Sequence, residues 1–213
     1  LCVSKYVAHE IESTNNPIGP VTMKKVKVVY NAIDTGLFRP YSLAHKSKIR
    51  QEIKKQYHIK QDDKIVLFTG RISKEKGLDV LLDALKEIRS NKYKLLIVGS
   101  VMHGSNNKDE YFTLINKKVK SILPNVVFTG YIDHSRLPDF YNVADVTVLP
   151  SMWEEPAGLT MIEALACGSP VITTRTGGIP EYVEGSAIVL NRDSRLITNL
   201  ANQIDNVLNN LRV

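Results

Sequence analysis

From residue 64 to the end of the chain, short apolar runs rich in β-branched residues alternate with longer stretches of helical periodicity. Lys64–Thr69, Tyr93–Val98, Asn125–Thr129, Asp145–Leu149, Pro170–Thr174 and Ala187–Leu190 read as strands. Between them, 78–89, 109–123, 135–142, 157–166, 179–183 and 194–210 read as helices; in the first, Leu78, Val80, Leu81, Leu82, Leu85 and Ile88 recur at helical spacing. Strand–helix alternation implies βα units and a parallel sheet covered on both faces, an α/β fold. The strands are almost continuously apolar, as burial of both faces requires. In such sheets ligands bind beyond the carboxyl ends of the strands, so the loops after each strand are where chemistry is sought.

The first 60 residues are less regular. Lys25–Tyr30 reads as a further strand and Ser47–Tyr57 as a basic helix, while Asn15–Pro20 is the one loop-like break. This divides the chain into residues 1–30, an edge or joining segment, and residues 31–213, the main domain. The chain opens on Leu-Cys-Val-Ser rather than Met, in what reads as the end of a strand, and an excerpt of a longer protein is expected.

Composition narrows the class. At 213 residues, 43% hydrophobic and 23% charged, the chain has enough apolar surface for a sizeable core and no low-complexity tract. The apolar runs are strand-sized, well short of a membrane span. Cys2 and Cys167 cannot make a disulfide framework, so a reducing, cytoplasmic setting is expected. The formal charge of +6 suits an anionic partner but does not choose among nucleic acid, membrane surface and phosphorylated small molecule.

Three strand-end loops carry chemistry. In the first, Gly70 and Gly77 bracket Arg71, Lys74, Lys76 and Ser73 directly between strand and helix. Backbone amides at a helix start favour anions, and Arg71 and Lys76 add formal charge. The loop fits neither a Walker A nor a GxGxxG pattern; alone, it is equally a solvated basic loop. In the second, Pro156 and Gly158 mark a helix start that leaves the amides of Gly158, Leu159 and Thr160 facing the crevice. Glu155 and Glu163 lie eight residues apart, roughly 12 Å along a helix, and each carboxylate can accept paired hydroxyls. Taken alone, these glutamates are better read as a dipole partner and a solvated face. The third, Thr176-Gly177-Gly178-Ile179-Pro180-Glu181, repeats glycines before a short helix, which a tight turn also explains.

Their conjunction on one side of one sheet is more specific. Asn31-Ala32-Ile33-Asp34 with Phe38 and Pro40, then GRISKEKG, VVFTGYI, ADVTVLPS, EEPAGLTMIEALACGSPVI and TGGIPE, resembles the retaining GT-B glycosyltransferases of family 4. Glu155 and Glu163 match that family's E-x7-E motif, and the likeness runs from about residue 1 to 190. It implies the C-terminal, Rossmann-like half of a two-lobed enzyme, with a nucleotide-diphosphate sugar (UDP or GDP) as donor and a hexose transferred to an acceptor hydroxyl. The missing N-terminal lobe would hold the acceptor. By resemblance, Arg71 and Lys76 contact the donor diphosphate and Glu155 binds sugar hydroxyls. Gly70 and the amides of Gly158, Leu159 and Thr160 lie near sugar and phosphate, and Glu163 binds the ribose. Gly130, Tyr131 and the loop 151–153 are expected walls for the nucleobase. Ala32 stands where the family usually has Gly, and Ala157 where it often has Phe; the latter change could enlarge the pocket.

No metal or other cofactor is expected. There is no Asp-x-Asp motif, and His9, His45, His58, His103 and His134 are scattered without ligand spacing, each read as a surface or capping residue. Competing readings are a GT-B sugar-nucleotide 2-epimerase, disfavoured by GRISKEKG with E-x7-E, and a nucleotide-sugar-binding fragment inactive alone. A nucleic-acid binder lacks interleaved aromatics. The basic run 45–60 (Lys46, Lys48, Arg50, Lys54, Lys55 and Lys60) reads first as a solvated helix and second as a peripheral contact with anionic lipid at the inner face of the membrane.

Overall fold

The structure is a computed structural model that describes residues 1–13, 26–90, 92–100, 107–122 and 124–210. Six parallel strands form one sheet: β1 (Lys64–Thr69), β2 (Tyr93–Val98), β3 (Val126–Gly130), β4 (Val146–Leu149), β5 (Val171–Thr174) and β6 (Ile188–Leu190), in the order β3-β2-β1-β4-β5-β6. This is the Rossmann-like α/β arrangement the alternation implies. Its strand order reverses between β1 and β4, which opens a crevice at their carboxyl ends.

Among the described residues, eight helices surround the sheet: α1 (Lys5–Ser13), α2 (Leu43–Gln56), α3 (Leu78–Glu87), α4 (Asn107–Lys120), α5 (Leu137–Val143), α6 (Leu159–Ala166), α7 (Ile179–Val183) and α8 (Leu196–Asn210). Helix α3 packs on α4 and α8, whereas α5 packs on α2 and α6, and α6 on α7. The strands between these layers are buried from both sides. Ile65, Val66, Leu67 and Phe68 are consecutive and all fully buried, as are Leu95, Leu96 and Ile97. Burying one such side chain contributes about 1.5–3 kcal/mol, so this register dominates the stability. Among the described residues no helix is long and apolar enough to cross a membrane.

Two expectations are corrected. Lys25–Tyr30 is not a strand: within its described part only Val28 pairs, in an isolated parallel bridge with Cys2. The alternation of Lys and Val there suits a strand, but no second partner extends the ladder. Instead, residues 5–13 form α1, docked on α7. The Glu181 carboxylate accepts the amides of Lys5 (2.8 Å) and Tyr6 (2.7 Å) and the Tyr30 hydroxyl (3.0 Å), while the Tyr182 hydroxyl donates to the Val3 carbonyl. Asn15–Pro20 and most of the polar loop expected at 102–108 lie outside the described residues.

The basic helix is also less basic on its surface than its sequence. It begins at Leu43 because Ser42 caps it, accepting the His45 amide at 3.3 Å. Arg50 turns inward to Asp145 (2.6 Å) and the Val143 carbonyl. Lys54, 3% exposed, donates to the carbonyls of Gln61 (2.5 Å) and Asp63 (2.8 Å). Two of the six cations considered for a lipid face therefore hold the domain together.

Candidate functional site

The crevice between β1 and β4 is built by two loops stitched to each other. After Gly70 the chain returns through a 3-10 turn, Lys74–Lys76. The Met152 amide, in the loop after β4, donates to the Glu75 carbonyl of that turn at 2.7 Å. This brings Lys76 across to Glu155, with which it forms an ion pair and hydrogen bond. The Ser151 hydroxyl donates to the same carboxylate oxygen at 3.0 Å. Side-chain exposure is only 27% for Lys76 and 12% for Glu155, so water screens the pair weakly. Thr69, Gly70, Lys76, Ser151, Glu155 and Thr160 line the resulting cleft.

Helix α6 starts at Leu159, two residues later than Ala157, because Gly158 at φ −107°, ψ 55° is not helical. Among the described residues the amides of Gly158, Leu159 and Thr160 meet no backbone or side-chain acceptor. The positive end of α6, with Thr160 on the cleft wall, thus presents free donors where an anion would be favoured. The Thr176–Glu181 loop behaves differently. Its Gly177 amide donates to Glu154 (2.5 Å) and its Gly178 amide to the Glu155 carbonyl (2.7 Å). Arg192 holds the other Glu154 oxygen at 2.7 Å. The third glycine device shapes the loop carrying Glu155 and does not leave these amides open.

Glu163 sits on α6, 6% exposed, and both of its oxygens have partners. The Tyr141 hydroxyl donates to Oε2 at 3.2 Å, and His134 Nε2 meets Oε1 at 3.0 Å. Thr69 Oγ1 lies 3.1 Å from the Tyr141 hydroxyl. Burial foremost, then the Glu163 charge, pushes the Tyr141 phenol far above its ordinary pKa, so it stays a donor. The same two causes push the Cys167 thiol up to about 12.

The structure thus gathers Gly70, Lys76, Glu155 and Thr160 in one cleft, with Gly158 and Leu159 on its wall-forming turn and Glu163 tied to it through Thr69 and Tyr141. Arg71 follows Gly70 but is about half-exposed and 3.6 Å from Glu75, outside the cleft lining. Gly130 ends the edge strand at the same end of the sheet and Tyr131 follows it; the Gly130 carbonyl accepts the Gly99 amide at 3.0 Å and Tyr131 is 74% exposed. Trp153 is half-exposed, and its carbonyl lies 3.3 Å from the Ser151 hydroxyl. Sequence reasoning missed Thr69 and Tyr141, read His134 as a surface residue, and named Ser151 only as part of a nucleobase wall, whereas it donates to Glu155. Ser151 carried a signal, being second after the β4 strand end; nothing in spacing marks Tyr141. Among the described residues, no three His, Cys, Asp or Glu side chains gather as a metal site.

A Rossmann-like lobe with basic and acidic side chains paired beneath an open helix N-terminus at its topological switch point is suited to an anionic ligand. Comparison with known proteins makes that specific. The family profile described as glycosyl transferases group 1 matches residues 49–211, and the chain belongs to that family. Spore coat protein SA of Bacillus subtilis is 32% identical over 184 residues, covering 85% of this chain and 48% of its own. A crystal structure of Anabaena Alr3699/HepE in complex with UDP-glucose superposes with a TM-score of 0.76 at 25% identity, over 97% of this chain and 53% of that one. The C-terminal domain of LpcC, a glycosyl transferase group 1 protein of Francisella tularensis, shares the fold at a TM-score of 0.68 and 24% identity, over 84% of this chain and 89% of its own. The chain spans about half the length of the curated relatives it matches.

Proposed function

We propose that this chain is the donor-binding lobe of a retaining, metal-independent glycosyltransferase that moves a hexose from UDP or GDP to an acceptor hydroxyl. The observation that carries the reading is the Lys76–Glu155–Ser151 cluster facing the open amides of α6. A leaving diphosphate gathers negative charge as the glycosyl bond breaks. Lys76 and the amides of Leu159 and Thr160 are fixed donors for that charge, with Arg71 approaching from the rim. Donors held in place before the reaction stabilise the transition state more than the ground state, at about 2.7–4 kcal/mol for each such contact. When the diphosphate takes Lys76, Glu155 is released to accept sugar hydroxyls, which keeps a buried carboxylate partnered throughout. Glu163 then receives the ribose.

The acceptor is assigned to the N-terminal half of a longer chain, so this lobe binds donor without turning it over. Retention follows from attack on the same face that the diphosphate leaves. Titration calorimetry with UDP, GDP, ADP and their sugars tests the reading directly: one diphosphate series binds, and Arg71→Ala and Lys76→Ala each weaken it by tenfold or more. With acceptor present, turnover is expected from the longer protein and not from the 213 residues alone. Near-normal turnover by Arg71→Ala in the longer protein would sink the assignment of the diphosphate site.

A further inference from the structure

The carboxylate of Glu163 is closed on both sides, and the two closures differ in kind. Tyr141 is fully buried and held by Thr69 behind it, so its bond to Oε2 is a fixed brace. His134 belongs to a single 3-10 turn, His134–Arg136, and its side chain is 62% exposed against 8% for Glu163. A hydroxyl pair arriving from solvent therefore meets the imidazole before it meets Oε1. The ring rests edge-on against Phe38, centroids 5.1 Å apart, which leaves it an apolar wall rather than a second polar anchor.

Among the described residues, Glu163 is the acid that His134 meets within hydrogen-bond distance. On its own turn, Asp133 is engaged by the Ser135 amide (2.9 Å) and hydroxyl (2.5 Å). Arg136 is paired with Asp139 of α5 at 3.3 Å. From α5, Tyr141 donates to Glu163 and is held neutral by burial and by that charge; from α6, Glu163 is the acid in contact. Cys167, also on that side, has a thiol pushed up to about 12 and stays uncharged near neutrality.

We propose that His134 is a proton-operated latch on the ribose-reading carboxylate: as imidazolium it holds Glu163 Oε1 against a nucleoside diphosphate, and as neutral imidazole it yields that oxygen to the ribose hydroxyls. The proposal rests on the reading of Glu163 as the ribose acceptor. The physical basis is simple. Imidazole ionises near neutrality, and protonation turns a bond that is charge-assisted on the carboxylate side alone into a full ion pair. A diol must break that bond to reach Oε1, so protonation opposes binding at this position.

The test compares the wild-type chain with His134→Ala and His134→Gln, measuring dissociation constants for UDP, GDP and ADP, and for inorganic pyrophosphate, by calorimetry. The ratio of wild-type to variant constants cancels the ionisation of the ligands themselves. For the nucleotide that binds, the ratio to His134→Ala should be close to one at about pH 8 and rise about tenfold by about pH 5.5. His134→Gln, which can still donate but cannot gain a proton, should also escape the loss at low pH. Pyrophosphate, which engages Lys76 and not Glu163, should show a flat ratio. A nucleotide ratio that does not change with pH overturns the latch and leaves the donor reading standing. Weaker nucleotide binding by the alanine variant at low pH also overturns it, since His134 would then be a ligand contact. The same rising ratio with pyrophosphate overturns it as well, by showing action through long-range charge. If no nucleotide binds the wild-type chain at any pH, both the latch and the donor reading are lost.

Discussion

The hydroxyls of Thr69 and Tyr141 lie 3.1 Å apart, and through this contact the two glutamates of the site share one framework. Thr69 ends β1 and lines the cleft with Lys76 and Glu155; Tyr141, on α5, donates to Glu163 on α6. Because Tyr141 gives its proton to the carboxylate, Thr69 gives its own to Tyr141. Tyr141→Phe keeps the ring packing and removes the oxygen that both neighbours use. A buried acceptor and a buried donor then lose their partner, a cost of about 1–3 kcal/mol. Urea unfolding should show that loss with an unchanged slope. Nucleotide affinity should fall by about tenfold, because Glu163 loses its fixed side. Affinity unchanged in a destabilised variant would reduce Tyr141 to a packing residue.

Lys76 and Glu155 are predicted to be strongly coupled. Removing Lys76 alone leaves Glu155, 9% exposed, with Ser151 as its charge-stabilising neighbour. Removing Glu155 alone strands a weakly solvated ammonium. Lys76→Met and Glu155→Gln should each destabilise the fold by about 2 kcal/mol, and the double variant by less than their sum. A double-mutant cycle by urea unfolding measures the difference. An additive cycle would mean that the pair contributes nothing beyond two separate solvated charges.

Much of this architecture was readable beforehand, and the exceptions share a cause. Burial on both faces forces continuous apolar runs, so all six strands were visible within two residues at either end. Helix starts were less sharp because caps decide them: Ser42 begins α2 four residues early, and Gly158 delays α6. Lys25–Tyr30 misled because alternation describes what a strand would look like and not whether a neighbour exists to pair with it. The site divides the same way. Lys76 and Glu155 stood out as residue types at strand ends, but their pairing joins positions 79 apart in the chain. His134 and Tyr141 have no spacing relative to Glu163, since three different elements bring them together. The acceptors of the Gly177 and Gly178 amides, on the Glu154–Glu155 loop, come from another βα unit and leave no mark in the Thr176–Glu181 segment itself.

Acid should loosen the α1–α7 joint before the sheet. Burial opposes the charge on Glu181, but the amides of Lys5 and Tyr6 and the Tyr30 hydroxyl outweigh it and hold the carboxyl below its ordinary value of 4.5. A depressed folded-state pKa contributes stability above the unfolded value, lost as pH falls through the folded one. Glu181→Gln should therefore be less stable than wild type at neutral pH, by about 0.5–1 kcal/mol for so exposed a capping group. The two should converge below the usual carboxylate range. Amide hydrogen exchange in residues 5–13, followed from neutral pH downward, checks this. Protection of α1 that is independent of pH in wild type would rule out Glu181 as its anchor.

Gly177 is the position where a single methyl group should disable the proposed donor site. Its φ is +52°, and a Cβ there would lie 2.2 Å from the Glu155 carbonyl oxygen and 2.7 Å from the Glu155 amide nitrogen. Both atoms are backbone, so the strain cannot be relieved by turning a side chain. The loop must retreat, carrying Glu155 away from Lys76 and breaking the Gly178-to-Glu155 hydrogen bond of 2.7 Å. Gly185 supplies the comparison, with a φ of +81° and open space around the same virtual atom. Gly185→Ala should cost only the left-handed backbone penalty, about 1–2 kcal/mol, with nucleotide binding intact. Gly177→Ala should cost about 3 kcal/mol or more and lose nucleotide binding under conditions where the chain is still folded. Equal stability losses in the two variants would show that the Glu155 loop moves freely and that its contact with Gly177 does not set the geometry of the cleft.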